Sequence, residues 1–335
     1  MRILVTGAAG FIGYSLAESL LARDHEVVGW DNLNDYYSVA LKEARLARLA
    51  RHAGFRFEKI DVADAAAVGS GYAHIRADAT VHLAAQAGVR YSIQHPEAYV
   101  QANLVGFANM LEAVRATPTK HFVFASTSSV YGLGKQLPFA EDMDTDHPMS
   151  FYTATKKANE VMAHSYAHLY GIPTTGLRFF TVYGPWGRPD MALFKFTKAI
   201  LADETLPVFN HGKMVRDFTY IGDIVEGIAR VIDSPPAANP AWDALHPGSA
   251  TSSAPYRIFN IGNNHRVELM TYIRAIEAAV GKPAKLELLP MQAGDVEATE
   301  ADVSRLAAAV GFRPATSVED GVARFVAWYR DYHGV

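Results

Sequence analysis

The chain has 335 residues, half of them hydrophobic and a fifth charged, with a net charge of −4 and no cysteine. That is enough chain for one large or two modest domains with a sizeable core. The charge makes no whole-chain case for nucleic acid or an anionic membrane, and the missing cysteine excludes disulfides, thiolate metal sites and a cysteine nucleophile. No apolar run reaches the ~18 residues of a membrane span. Met1-Arg2-Ile3-Leu4-Val5-Thr6-Gly7 goes straight into a strand and a glycine turn without a charged leader, so a cytoplasmic protein is expected.

Ile3-Leu4-Val5 is a short continuous apolar run, the pattern of a strand buried on both faces. It runs into Gly7-Ala8-Ala9-Gly10-Phe11-Ile12-Gly13, a helical pattern through Leu16, Leu20 and Leu21, and a second strand, His25 to Trp30, that ends at Asp31. Glycines in such a turn let the backbone approach a pyrophosphate at a helix N-terminus. An acid at the tip of the second strand suits ribose hydroxyls and repels a 2′-phosphate, which favours NAD over NADP. The dinucleotide set therefore begins with Gly7, Gly10, Phe11, Ile12, Gly13, Asp31 and Asn32.

A polar loop, Asn32 to Tyr37, precedes a charged helix from about Val39 to Arg51, whose charges read as a solvated face. Phe55 to Ile60 reads as a third strand ending at Asp61-Val62, a place for an adenine ring. Ala79 to Leu83 is a fourth strand, followed by Ala84, Ala85, Ala87 and Gly88. Small side chains there leave room for a cofactor or simply allow close packing, and the residues alone do not choose. Leu83, Ala84, Ala85 and Ala87 join the cofactor set with Asp61 and Val62, as do Asn103 at the head of a helix running to Val114 and, further on, Tyr152 and Lys156. Strands alternating with helices predict an α/β fold with a parallel, doubly wound sheet.

The strand His121 to Ala125 ends in Ser126-Thr127-Ser128-Ser129, and Tyr152-Thr153-Ala154-Thr155-Lys156 opens a helix that stops near Gly171-Ile172-Pro173. Tyr152 and Lys156, four apart, share a helix face. A phenol is a poor base at its usual pKa of about 10, but an ammonium and a nicotinamide cation nearby favour the phenolate. A strand-end hydroxyl bonds the same phenol or a substrate alcohol, which completes a device for moving a proton while a hydride moves elsewhere. The same spacing also occurs as a plain surface pair; the glycine turn upstream favours catalysis. His164 and His168 are four apart as well, but Ser165 stands where a zinc-protease motif needs Glu, so no metal site is expected.

After the strand Thr174 to Phe180 the texture changes to a turn-rich loop, Tyr183 to Asp190, and shorter elements: Val208 to Gly212, Val215 to Tyr220, a helix from about Ile221 to Ile232, and a Pro/Ala/Ser-rich excursion over 233–255. A helix from Leu269 to Val280, a strand from Lys285 to Leu289, a loop over 290–300 and a helix from about Glu319 to Tyr332 follow. The expected division is a Rossmann dinucleotide domain over 1–180, joined by a segment at about 215–235, and a smaller mixed α/β substrate domain over 181–335.

With Gly7 to Gly13, Ser126 to Gly132 and Tyr152 to Lys156 in hand, the chain resembles the extended short-chain dehydrogenase/reductases of the NAD-dependent epimerase/dehydratase family. Through Asp31 to Tyr37, Arg178 to Ala192, Val215 to Tyr220 and Gly294-Asp295-Val296 it is most similar to the UDP-glucuronate 4-epimerases. The resemblance implies Tyr152 as acid/base, Lys156 as its electrostatic partner and Thr127 as the third hydroxyl. It implies a UDP-sugar contacted by Arg90, Thr127, Ser128, Ser129, Thr181, Arg188, Arg216 and Asp295, with Arg216 on the pyrophosphate, Asp295 on a ribose, Arg188 at a uronate carboxylate, and Arg90 a second candidate for substrate contact. A loop arginine is more often merely solvated. Dehydratases of this kind carry an Asp-Glu pair, and decarboxylases a Glu, where this chain has Ser128 and Ser129; a hydroxyl cannot supply the extra acid/base that eliminating water demands, which argues against dehydration and less strongly against decarboxylation. The resemblance also implies a homodimer through helices flanking the sheet. Rival readings are a UDP-glucose/UDP-galactose 4-epimerase, a UDP-glucuronate decarboxylase and a cofactor-sensing binding protein; the last is disfavoured because Tyr152 and Lys156 are both present.

Overall fold

The computed structural model describes residues 1–292 and 295–335. Strand and helix alternate from the start: β1 (Arg2–Thr6), α1 (Phe11–Leu21), β2 (Glu26–Asp31), α2 (Val39–Leu49), β3 (Phe55–Lys59), α3 (Ala65–Ile75) and β4 (Ala79–His82). Two short helices, α4 (Tyr91–Gln94) and α5 (Pro96–Tyr99), and a π-helical stretch over Val100–Val105 lead into α6 (Gly106–Ala116), β5 (His121–Thr127), α7 (Phe151–Tyr170) and β6 (Thr174–Phe179). Then come β7 (Thr181–Tyr183), α8 (Ala192–Leu201), β8 (Thr205–Val208), β9 (Val215–Tyr220), α9 (Ile221–Ile232), β10 (Tyr256–Ile261), β11 (Arg266–Glu268), α10 (Leu269–Val280), β12 (Lys285–Leu288), α11 (Ser304–Val310) and α12 (Val318–His333).

Seven strands form one parallel sheet in the order β10-β6-β5-β4-β1-β2-β3. Alternate residues of each strand feed different cores, which explains the unbroken apolar runs. Ile3, Val5, Val27 and Val123 pack with α1 and α9 on one face, and Leu4, Val28, Phe122 and Phe124 pack with α3, α6 and α7 on the other. The chain leaves β1 toward β2 and β3, then returns to β4 on the opposite side. The carboxyl ends of β1 and β4 therefore flank the switch point where doubly wound sheets bind ligands.

Beyond β6 the chain departs from a simple division at residue 180. In the segment over 215–235, α9 packs on α1, while β9 lies in a separate three-stranded sheet, β11-β9-β7. The strand β10, which directly follows the Pro/Ala/Ser-rich excursion, had no place in the sequence reading; it completes the large sheet beside β6. The smaller lobe is held by an aromatic core in which Phe218 stacks on Tyr272 at 3.8 Å. The helix expected to present a solvated charged face is corrected too. Lys42 and Arg45 of α2 are buried, because their partners come from distant loops: Asn34 receives Lys42 Nζ at 2.6 and 2.7 Å, and the Ala9 and Trp186 carbonyls receive Arg45 at 2.7 and 2.6 Å.

Two buried sheet histidines set an acid limit. Burial pushes His82, 2.8 Å from the Thr6 hydroxyl, down to about 3, and His121, set between the Ile232 carbonyl and the Thr175 hydroxyl, down to about 4. The unfolded chain takes up protons on these rings below about pH 6.5. The folded chain does not, so the unfolded state binds more protons and stability falls as pH drops from about 6.5 toward 4. Urea unfolding should show a loss of about 2 kcal/mol per ring between pH 7 and pH 5. His121→Gln should reduce that loss, and an unchanged pH slope in the variant would contradict the assignment.

Candidate active site

The turn after β1 is built for close approach. Gly7 has φ +72° and its carbonyl accepts the Gly10 N–H at 2.9 Å. A Cβ on Gly13 would lie 2.1 Å from the Gly7 oxygen, so no side chain fits there. Helix α1 starts at Gly10 without a side-chain cap, which leaves its first N–H groups available to an anion. At the tip of β2, Asp31 accepts the Ala9 N–H at 3.1 Å and the Leu33 N–H at 2.9 Å. Asn32 donates to Asp61 at 3.0 Å and ties the second strand end to the third. A cradle that a Cβ would fill, an open helix start and a fixed acid together fit a dinucleotide.

One cleft of about 1110 Å³ runs along the carboxyl edge of the sheet. Its wall includes Gly7, Gly10, Phe11, Ile12, Gly13, Asp31, Asn32, Asp61, Val62, Leu83, Ala84, Ala85 and Ala87 at one end. Thr127, Tyr152, Lys156, Thr181 and Arg188 also line it, and so do Arg90, Arg216 and Asp295. Three expected residues do not line it. Ser128 and Ser129 turn into a 3₁₀ helix over Ser128–Tyr131, where Ser129 closes back on the Thr127 hydroxyl at 3.2 Å. Asn103 is buried and acts as a brace: its Nδ2 donates to the Gln86 carbonyl and the Thr155 hydroxyl, both at 3.0 Å, its Oδ1 accepts the Gln86 N–H at 2.8 Å, and Asn159 donates to its carbonyl at 2.6 Å. It sets the end of β4 against α7 rather than touching the cleft.

Helix α7 begins where Ser150 accepts the Thr153 N–H at 3.1 Å, and Tyr152 and Lys156 follow on one face. Burial pushes the Tyr152 phenol up, and the Thr127 hydroxyl and the Arg188 guanidinium pull it down. Lys156 is buried and pushed down to about 8, against the opposing charge of Glu160; its ammonium donates to Asn159 Oδ1 at 3.0 Å. Arg188 is fixed by Asp190, Nε to Oδ1 at 3.0 Å and Nη2 to Oδ2 at 2.5 Å, and lies over the Tyr36 ring at 5.9 Å. At the far end Arg90 donates to Asp295 at 3.1 Å, and Arg216 donates to the Val215 and Glu297 carbonyls at 2.9 and 3.0 Å. Gly294 lies outside the described residues.

Sequence reasoning missed Tyr36, Lys42 and Asp190 as cleft residues. Asp190 had a signal, being two residues from Arg188 in a rigid turn; Lys42 had none. His164 and His168 stack at 6.3 Å, and His164 Nε2 lies 2.8 Å from the Ser252 hydroxyl. Among the described residues no group of three metal-binding side chains occurs, and no helix is long and apolar enough to cross a membrane.

The reversing sheet order, the open helix start and the cleft at the switch point define a dinucleotide-binding protein of the doubly wound class. The chain belongs to the NAD dependent epimerase/dehydratase family, whose model matches residues 3–262. It is 51% identical over 333 residues to a probable UDP-glucuronate 4-epimerase of Rhizobium meliloti (strain 1021), covering 98% of this chain and 97% of that one. The crystal structure of UDP-glucuronic acid 4-epimerase from Bacillus cereus in complex with UDP-glucuronic acid and NAD matches with a TM-score of 0.88 at 32% identity, over 99% of this chain and 100% of that one. UDP-glucose 4-epimerase from Thermotoga maritima with UDP-glucose matches with a TM-score of 0.86 at 26% identity, over 99% and 100%. Backbone shape therefore does not separate the two sugars; cleft side chains must.

Proposed function

We propose that the protein interconverts UDP-glucuronate and UDP-galacturonate by NAD-dependent 4-epimerisation. The observation that carries this reading is the place of Arg188, in the cleft wall with Tyr152 and near enough that its charge bears on the phenol. A guanidinium there suits a uronate carboxylate. Bound NAD supplies a hydride acceptor at C4 of the sugar and gives the hydride back. Gly7, Gly10 and Gly13 with the start of α1 hold the pyrophosphate, and Asp31 holds the adenosine ribose. Tyr152, as phenolate, takes the proton of the 4-hydroxyl, and Lys156 and Thr127 stabilise that anion. Arg216 and Asp295 anchor the nucleotide while the 4-keto sugar turns over, and Tyr152 returns the proton on the other face. Net redox change is zero.

The 4-keto uronate is a β-keto acid and loses CO2 when its carboxylate bond stands perpendicular to the ketone plane. Arg188, held by Asp190, fixes the carboxylate away from that orientation, and no acid stands at Ser128 or Ser129 to assist elimination. The same proposal includes a homodimer. Val161, Leu169 and Tyr170 of α7 are 56%, 66% and 49% exposed, an apolar stripe on a helix flanking the sheet. It also includes a cytoplasmic place of action. The test is to incubate purified protein with UDP-glucuronate, without added NAD, and resolve the products by chromatography and NMR. UDP-galacturonate without CO2 is expected. UDP-xylose or a 4-keto pentose would move the reading to a decarboxylase, and turnover of UDP-glucose alone to a neutral hexose.

A further inference from the structure

Behind the catalytic helix lies a buried network that the chemistry above does not use. Strand register puts Ser126 of β5, Arg178 of β6 and Asn260 of β10 in one row across the sheet, on the face that α7 covers. Glu160 of α7 lies one turn beyond Lys156 and points into that row. Arg178, fully buried, forks onto it: Nε to Oε1 at 2.9 Å and Nη2 to Oε2 at 2.8 Å. Ser126 Oγ donates to the same Oε1 at 2.6 Å. Arg178 Nη1 donates to the Glu141 carbonyl at 2.9 Å and the Tyr131 hydroxyl at 3.1 Å, and Tyr131 in turn donates to Asn260 Oδ1 at 2.6 Å.

Stability does not account for this pair. Two charges taken out of water are offset only by ideal geometry, and a well-packed apolar pair of the same volume is often as stable or more so. What the pair does is mechanical and electrostatic. It ties Ser126, the neighbour of Thr127, to the helix that carries Tyr152. It also puts a carboxylate one turn below a buried ammonium.

We propose that Glu160 is a positioning residue of the reaction, holding Thr127 against Tyr152 through Ser126 and supplying the counter-charge that keeps Lys156 an ammonium. The groups around Lys156 leave this role to Glu160. Tyr152 precedes it by one turn, Asn159 is neutral, and His82 of β4 is kept uncharged by burial. Arg178 faces Glu160 from β6. Burial pushes the Lys156 ammonium down and the Glu160 charge, one helical turn away, holds it up; without that charge the ammonium loses its proton at lower pH, and the phenolate loses its support.

The inference rests on the 4-epimerase reading, and the parent protein assayed alongside keeps the two apart. If the parent does not turn over UDP-glucuronate, that reading fails, and the comparison is made with the UDP-sugar the parent does accept. The test variant is Glu160→Met with Arg178→Met, which removes both charges and leaves neither stranded. NAD content, thermal unfolding and kcat from pH 6 to pH 10 are measured. The expected variant is folded, retains NAD, has kcat about tenfold lower at pH 8, and shows its alkaline limb about one pH unit lower. A folded variant whose pH profile superimposes on the parent's overturns the proposal. Glu160→Gln with Arg178→Gln is the second pair; if neither pair folds, the network belongs to the fold alone and the proposal also falls.

Discussion

Tyr152→Phe lowers kcat by at least about a thousandfold, within the range a positioned acid/base contributes, and leaves NAD in place. The ring is half-buried and meets the Tyr99 ring edge-on at 6.0 Å between centroids. Phenylalanine keeps that contact and the helix start at Ser150, so only the hydroxyl is lost. Each turnover needs the hydroxyl twice, once to take a proton and once to return it, and Thr127 and Lys156 cannot stand in because both act through the phenol. The glycines proposed to cradle the pyrophosphate belong to the turn between β1 and α1 and are untouched. Steady-state kinetics, with NAD assayed after acid release, checks both halves. Activity within tenfold of the parent would remove Tyr152 from the mechanism.

Arg188→Leu is expected to separate substrates. Of the guanidinium nitrogens, Asp190 occupies Nε and Nη2, and no hydrogen bond among the described residues uses Nη1. A hydrogen bond between charged partners contributes about 1.5–3 kcal/mol, and each 1.4 kcal/mol is about tenfold. The expected fall in kcat/KM for UDP-glucuronate is thus about a hundredfold, against less than about fivefold for UDP-glucose. Leucine also strands the Asp190 carboxylate and disturbs the loop, but that disturbance acts on both substrates and cancels in their ratio. Equal losses for the two sugars would refute a carboxylate-reading role for Arg188.

What could be read from the chain was what depends on near neighbours. Gly7, Gly10 and Gly13 work through spacing within one turn, Asp31 through its place at a strand tip, and Tyr152 with Lys156 through helical period. What could not be read depends on partners far along the chain. Arg45 is buried because Ala9 and Trp186, 36 and 141 residues away, offer it carbonyls. The bonds of Asn103 to Gln86, Thr155 and Asn159 likewise join residues 17 to 56 apart. Ser128 and Ser129 sit in a 3₁₀ turn, a local feature that the run of hydroxyl residues does not announce, and they are not among the residues of the cleft wall. Strand β10, Tyr256 to Ile261, is a β-rich run between Pro255 and Gly262 whose local signals were legible; its place beside β6 was not, because that pairing joins residues about 80 apart in the chain.

That edge has a consequence for how the chain is made. Until residue 261 has left the ribosome, β6 has one side paired with β5 and the other side bare, a row of unsatisfied N–H and C=O groups inviting another chain. Tyr131 likewise lacks Asn260 until then. The sheet that binds the dinucleotide therefore closes late, from a strand encoded after β7, α8, β8 and β9. A fragment ending at residue 180 would carry the whole glycine turn and the Tyr152–Lys156 helix and still be an unfinished, self-associating sheet.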